Sequence, residues 1–224
     1  HGREHLCVPV WLRKLREGNK SLIRAFDLGY CNPRIRDINP VVSGFRAQFY
    51  FDDHSQKAFL NDSISHGVEL FKETFGYAPI AFVPGNGVFH PDFEAELISA
   101  GIRFMSVNHI MPVPDGKGGT NNHRNFLMKK KKNGLTQYLR NCAFEPSGPN
   151  YRGIGLTLKQ IESAFFWNKP AIISTHRVNF VGGMNEDNRT HGLNELNLLL
   201  KEVMKRWPDV LFLSTRELFT QYYV

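Results

Sequence analysis

Cysteine is scarce in this sequence. The 224 residues hold three, Cys7, Cys31 and Cys142, an odd number, widely spaced and without a C-x-x-C pair. That argues against a disulfide framework and against a cysteine zinc site, and leaves buried thiols as the expectation. Long apolar runs are also missing. None approaches the roughly 20 residues that a membrane-spanning helix needs, so no span is expected. Nucleic-acid-binding signatures are absent, although the formal net charge is +7 and the pI about 9.4. Four of the seven charges come from Lys129, Lys130, Lys131 and Lys132, leaving +3 for the rest. A lone lysine run is usually a solvated turn. Nucleic acid is therefore not the expected partner, and only a weak attraction to anionic polymers follows. The opening residues show no signal-peptide pattern, and the chain starts at His1 rather than Met. Compartment is not read from such a start.

What is present suits a single domain spanning 1–224. Hydrophobic residues make up 42% and charged residues 22%, with 18 phenylalanines, enough for a substantial core. Helices are expected over Val8–Leu15, with Pro9 in the first turn, and over Ser21–Leu28. Residues 30–44, rich in Asn, Pro, Arg and Gly, read as loop. Phe45–Phe51 reads as an aromatic strand ending in Asp52-Asp53. Those adjacent carboxylates suit a metal or a general base. The helical pattern that follows at once (Phe59, Ile64, Val68, Phe71, Phe75) favours a helix cap instead.

From there the rhythm is regular. Strands are predicted over Pro79–Pro84, Ile102–Val107, Leu135–Cys142, Pro170–Thr175 and Val210–Ser214. Helices are predicted over Pro91–Ala100, Leu156–Trp167, Gly192–Trp207 and Thr215–Tyr222. Residues 112–134 read as a long excursion, with the lysine run at or near the tip of a hairpin. No internal repeat or interdomain linker is visible. Strand–helix alternation with short connections implies an α/β fold with mostly parallel strands and right-handed crossovers.

The candidate site follows from that alternation. Pro170–Thr175 is a short β-branched run, as in a buried parallel strand, and it ends abruptly in His176-Arg177. Carboxyl ends of parallel strands are where ligands and catalytic groups gather, and an imidazole there serves as acid, base or metal ligand. Asn86, Arg140, Asn141, Glu145 and Arg177 also recur at the ends of predicted strands, and one shared rim is expected for them. At the start, His1 and His5 are four apart, a spacing that lets two imidazoles grip one metal.

These segments resemble the polysaccharide deacetylase superfamily. His1-Gly2-Arg3-Glu4-His5 is similar to its H-[ST]-x-x-H metal motif, with Gly2 where Ser or Thr is usual. Phe82-Val83-Pro84-Gly85-Asn86-Gly87 falls where the family has Arg-x-Pro-Tyr, without the Arg and the Tyr. Ile173-Ser174-Thr175-His176 resembles the late Leu-x-His segment. The order matches across nearly all of the chain and looks like a divergent bacterial branch.

The resemblance implies a distorted, incomplete (β/α) barrel and a divalent metal, usually zinc, bound in the intact protein. It implies His1 and His5 as ligands and His176 as the acid, and Glu145 is assigned to the same site as a catalytic group or one that supports it. Arg140, Asn141, Asn86 and Arg177 would be substrate groups. The family's Asp-Asp segment lies on a first strand before the histidine pair, and Asp52-Asp53 comes after it. The expectation is that this strand is missing here, with weak or absent metal in this chain. The open barrel would then keep a retained N-terminal fragment or pair with another copy. The function expected is a metal-dependent carbohydrate deacetylase-like hydrolase acting on an acylated polysaccharide or glycan. The alternative is a non-catalytic glycan-binding or polysaccharide-biosynthesis-associated protein on the same fold.

Overall fold

A computed structural model describes residues 1–31, 33 and 45–223. Most of the loop expected over 30–44 lies outside the described residues. The fold is mixed α/β with a partly parallel sheet, and among the described residues no sheet closes into a barrel. No described helix is long and apolar enough to cross a membrane. The chain divides into two compact units, His1–Leu139 and Arg140–Val224, each described by itself.

The first unit opens with α1 (Val8–Arg16) and α2 (Lys20–Asp27). Pro9 occupies the first turn of α1, where its missing N–H costs nothing. The Asn19 side chain caps α2 by accepting from the Leu22 amide at 3.0 Å. Phe45–Phe51 is not the expected strand. It is irregular chain with a turn in which the Tyr50 amide donates to the Ala47 carbonyl. Its side chains serve two clusters. Phe45, Ala47 and Tyr50 pack with Cys7, Val10 and Leu22, whereas Phe49 and Phe51 enter the larger core. Burial on both faces made the stretch look like a strand, but ladder pairing did not follow.

Asp53 caps the 3-10 turn His54–Gln56 through the Ser55 amide at 2.8 Å, and α3 (Lys57–Phe75) follows, closed by Gly76 at φ 75°. Asp52 is held by Arg13 and Gln56. Burial alone would raise its pKa, but the hydrogen bonds from Arg13 and Gln56 and the Arg13 charge outweigh it and hold the carboxyl below its usual range. Asp53 thus serves as the cap that the helical pattern favours, and Asp52 is paired with Arg13.

The sheet is shorter than the apolar runs suggested. β1 (Ala81–Phe82), β2 (Phe104–Ser106) and β6 (Thr136–Tyr138) pair in parallel, and β5 (Lys129–Lys130) adds antiparallel to β6, giving the order β1-β2-β6-β5. Between β1 and β2 lie the 3-10 turn Pro91–Phe93 and α4 (Glu94–Ser99). A separate hairpin, β3 (Ile110–Pro114) and β4 (Thr120–Arg124), turns at Asp115, whose carboxylate accepts from the Lys117 and Gly119 amides. The lysine run therefore lies beyond that hairpin's tip, on the edge strand β5 and the turn into β6. Phe49 centres the core, with ring centroids 5.2 Å from Phe89, 5.5 Å from Phe82 and 5.9 Å from Phe93.

The second unit has β7 (Cys142–Ala143) parallel to β8 (Ile173–Ser174), with α5 (Gly155–Phe166) between them. The predicted strand over Leu135–Cys142 is thus two strands, β6 and β7. After β8 come α6 (Glu186–Arg206) and α7 (Thr215–Tyr222). α6 begins six residues before the expected Gly192, because Asn185 caps it through the Asp187 amide at 3.0 Å. Val210–Ser214 forms no strand, and Leu211 and Phe212 are exposed. α7 is closed at its start by a reciprocal Ser214–Glu217 capping box. All three cysteines are free. Cys7 and Cys142 are buried as expected, and Cys31 is exposed.

Two stability predictions follow. Phe49→Ala removes a fully buried ring and is expected to cost about 3–5 kcal/mol in urea unfolding. Arg13→Gln removes the partner that keeps Asp52 ionised. A depressed carboxyl pKa contributes stability above the unfolded value that is lost as pH falls through the folded one. The variant is therefore expected to be about 1 kcal/mol less stable at pH 7. The gap should close as pH drops below the carboxylate range. A gap independent of pH would show that Arg13 acts only by packing.

Candidate functional site

In the second unit, register alone places the main pair. Cys142 pairs with Ile173 and Ala143 with Ser174, so both strands leave the sheet at the same carboxyl end. Two residues on, Glu145 and His176 meet, with Nδ1 of His176 2.6 Å from Oε1 of Glu145. A carboxylate oxygen only accepts, so this contact is a hydrogen bond when Nδ1 carries a proton. The His176 side chain is 65% exposed and that of Glu145 35%.

Asn179 holds the pair, and the sequence reading had given it no role. It is buried on the 3-10 turn Arg177–Phe180. Its amide nitrogen donates to Oε2 of Glu145 at 2.7 Å and to the His176 carbonyl at 2.8 Å. Its oxygen accepts from the Ser147 amide at 3.0 Å. One side chain thus braces the loop after β7 to the turn after β8. The only trace in the sequence is a His-x-x-Asn spacing, too common to be read alone.

The brace depends on Gly192. A Cβ there would lie 1.8 Å from the Asn179 carbonyl oxygen, so α6 reaches the turn only because residue 192 has no side chain. Asn188, one turn earlier on α6, donates to the Val178 and Val181 carbonyls at 2.8 and 2.9 Å, and its Oδ1 accepts from the Ser147 hydroxyl at 2.5 Å. Tyr151 donates to Glu195 at 2.6 Å; burial first, and then that carboxylate, push its phenol pKa up.

The other predicted residues of this unit lie elsewhere. Arg140 and Asn141 precede β7 and so stand at its amino end, away from Glu145. Asn141 donates to the Pro170 carbonyl at 3.1 Å and accepts from the Ile172 amide at 2.7 Å, which fixes the entry to β8. Both were expected at a strand's carboxyl end because the predicted strand ran unbroken through Cys142. Arg177 is exposed beside His176. Burial pushes the thiols of Cys7 and Cys142 up to about 12 and about 11, so neither is a thiolate nucleophile near neutrality.

The first unit brings together the histidine pair. His1 and His5 lie on the loop before α1, with ring centroids 4.7 Å apart. Two close approaches seat that loop. Gly2 sits at φ 82°, and a Cβ on Gly67 of α3 would come within 2.5 Å of the Arg3 amide nitrogen. Gly85 lies against the His5 ring, where a Cβ would be 3.2 Å from Cε1 and 2.8 Å from the Arg46 carbonyl. Any side chain at residue 85 would crowd the His5 ring and the Arg46 carbonyl, and Phe82 belongs to the aromatic core.

Asn86 is exposed on the Gly85–Gly87 turn, at the carboxyl end of β1, with φ 53°. Asn108, beyond the end of β2, lies over Gly87 and was not foreseen. Among the described residues, no group of three or more His, Cys, Asp or Glu converges as a metal cluster.

No protein-family model matches this sequence, and no curated protein sequence matches it significantly.

Asn179→Ala and Gly192→Ala are each expected to free Glu145 and shift His176 from the Nδ1–H tautomer toward Nε2–H, read by imidazole ¹⁵N chemical shifts. An unchanged tautomer in folded Asn179→Ala would remove the brace from the account.

Proposed function

We propose that this protein is a metal-dependent carbohydrate deacetylase-like hydrolase acting on an acylated polysaccharide or glycan. The observation that carries the reading is the Glu145–His176 pair on the carboxyl rim of two parallel strands, with Asn179 holding the carboxylate. Glu145 accepts the Nδ1 proton and fixes the ring. A second proton taken up at Nε2 makes an imidazolium that Glu145 stabilises, and Nε2 then donates it to the departing amine or alkoxide. Arg177, next in the chain and exposed, suits a polar or anionic part of the substrate.

His1 and His5 fit a divalent ion as far as they go. Their rings are close enough to share one ion, and imidazole is a common zinc ligand. When bound, such an ion lowers the pKa of water and polarises an acyl carbonyl. Two imidazoles are an incomplete set, so the remaining ligand would come from outside the described residues. The distorted, incomplete (β/α) barrel belongs to the same proposal. A second reading, a glycan-binding protein without catalysis, is favoured by Gly85, whose contacts would crowd any side chain where the resemblance would place a tyrosine.

The test is acetate release from N-acetylated and O-acetylated oligosaccharides by the full natural gene product, with and without added zinc. His176→Gln and Glu145→Gln are expected to lose about 10²–10⁴-fold in rate. His1→Ala and His5→Ala are expected to lose retained zinc. Zinc-loaded, folded protein that binds the oligosaccharides but releases no acetate would favour the binding protein. Release undiminished in His176→Gln would remove that residue from the chemistry.

A further inference from the structure

The positive charge of this protein is gathered in one stretch of the first unit. Between Gly116 and Leu139 there are six Lys and Arg and no Asp or Glu, against a net charge of +7. Outside it, 22 Lys and Arg face 21 Asp and Glu, which is near neutrality. The stretch spans the hairpin turn, β4, the edge strand β5 and β6.

Its basic side chains are at the surface. Lys117, His123, Arg124, Lys129, Lys130 and Lys132 are exposed, and among the described residues only Lys131 of this stretch is drawn to a carboxylate, that of Glu94. Asn121 and Asn122 are exposed on the same strand as His123 and Arg124. Phe126, 60% exposed, joins the two basic strands, and the Lys129 ammonium lies over its ring at 5.7 Å. Lysines on an edge strand also guard against edge-to-edge aggregation. That accounts for Lys129 and Lys130, but not for His123, Arg124 and the amides of β4 or for an exposed phenylalanine between the two strands.

We infer that this stretch binds an acidic polysaccharide, one whose carboxylates are separated by neutral, hydroxyl-rich rings. Charge complementarity decides the sign of the partner. The kind of cation decides its class. Five of the six Lys and Arg are lysines, which act as point charges and suit single charges set apart, whereas the arginine fork, which grips two oxygens of one carboxylate or phosphate, occurs once. Single-stranded nucleic acid is bound on several aromatic platforms, and here one ring is exposed, with a lysine across its face. Asn121 and Asn122 suit hydroxyls between spaced charges. This inference concerns binding alone and does not depend on the hydrolase reading.

The experiment is titration of the 224-residue chain with a fluorescent oligogalacturonate, alongside its methyl-esterified neutral form and single- and double-stranded DNA of equal charge. The acidic oligosaccharide is expected to bind, weakening roughly tenfold or more between 50 and 200 mM salt. The neutral form is expected to bind at least tenfold more weakly. Lys129→Gln/Lys130→Gln/Lys132→Gln, and separately His123→Gln/Arg124→Gln, are expected to lose at least fivefold while keeping the native circular dichroism spectrum. Lys159→Gln/Lys201→Gln, on exposed helical positions of the second unit, is expected to change nothing. The inference is overturned if the acidic oligosaccharide does not bind at low salt, if its neutral form binds as well, if either DNA binds more tightly, or if the helical variant loses as much.

Discussion

The parallel register of β7 and β8 is the constraint on which the candidate chemistry rests. Partners along this pair of strands are offset by a constant 31 residues, and the same offset separates Glu145 from His176. The ladder therefore brings to one rim the two segments that carry these side chains. What the ladder does not supply is orientation. A half-exposed carboxylate on a loop has many rotamers, and a single buried amide removes that freedom by bonding both its free oxygen and the neighbouring backbone. Because Asn179 is buried, its hydrogen bonds are costly to leave unmade, so the brace is enforced by desolvation as well as by attraction.

Close backbone approach is the other recurring device. At Gly192 it lets a long helix press on the turn that carries Asn179. At Gly67 and Gly85 it lets the histidine loop lie between α3 and the turn after β1. In each case the missing Cβ is needed for space, and any side chain would push the neighbouring segment out of place. The aromatic cluster around Phe49 supplies the rigidity against which the first unit's loop is seated. Its rings meet mostly edge to face, an arrangement that fixes geometry more tightly than aliphatic packing does.

Charge is distributed with equal economy. Most of the chain is close to neutral, with its carboxylates tied to local partners such as Arg13 with Asp52 and Lys57 with Asp92. The excess is confined to one edge of one sheet and one hairpin. A concentrated field of this kind attracts a polymer more effectively than the same charge spread evenly over the surface, because several counter-charges can be met at once.

The sequence by itself determined the helices, the α/β class, the cap at Asp53 and the candidacy of His176 and Glu145. These depend on local rules: amphipathic period, capping chemistry, and an apolar β-branched run that ends in polar residues. It overstated the strands. Phe45–Phe51 and Val210–Ser214 have strand-like composition, but a strand exists only where a partner ladder is available, and that is a property of the whole fold. The same limit hid the break at Leu139–Asn141, which leaves Arg140 and Asn141 between β6 and β7 rather than within one strand. Tertiary structure alone decided the role of Asn179, the need for Gly192 and Gly85, and the meeting of Glu145 with His176. Each joins residues distant in the chain through burial or a shared rim, and no periodicity in the sequence records such a contact.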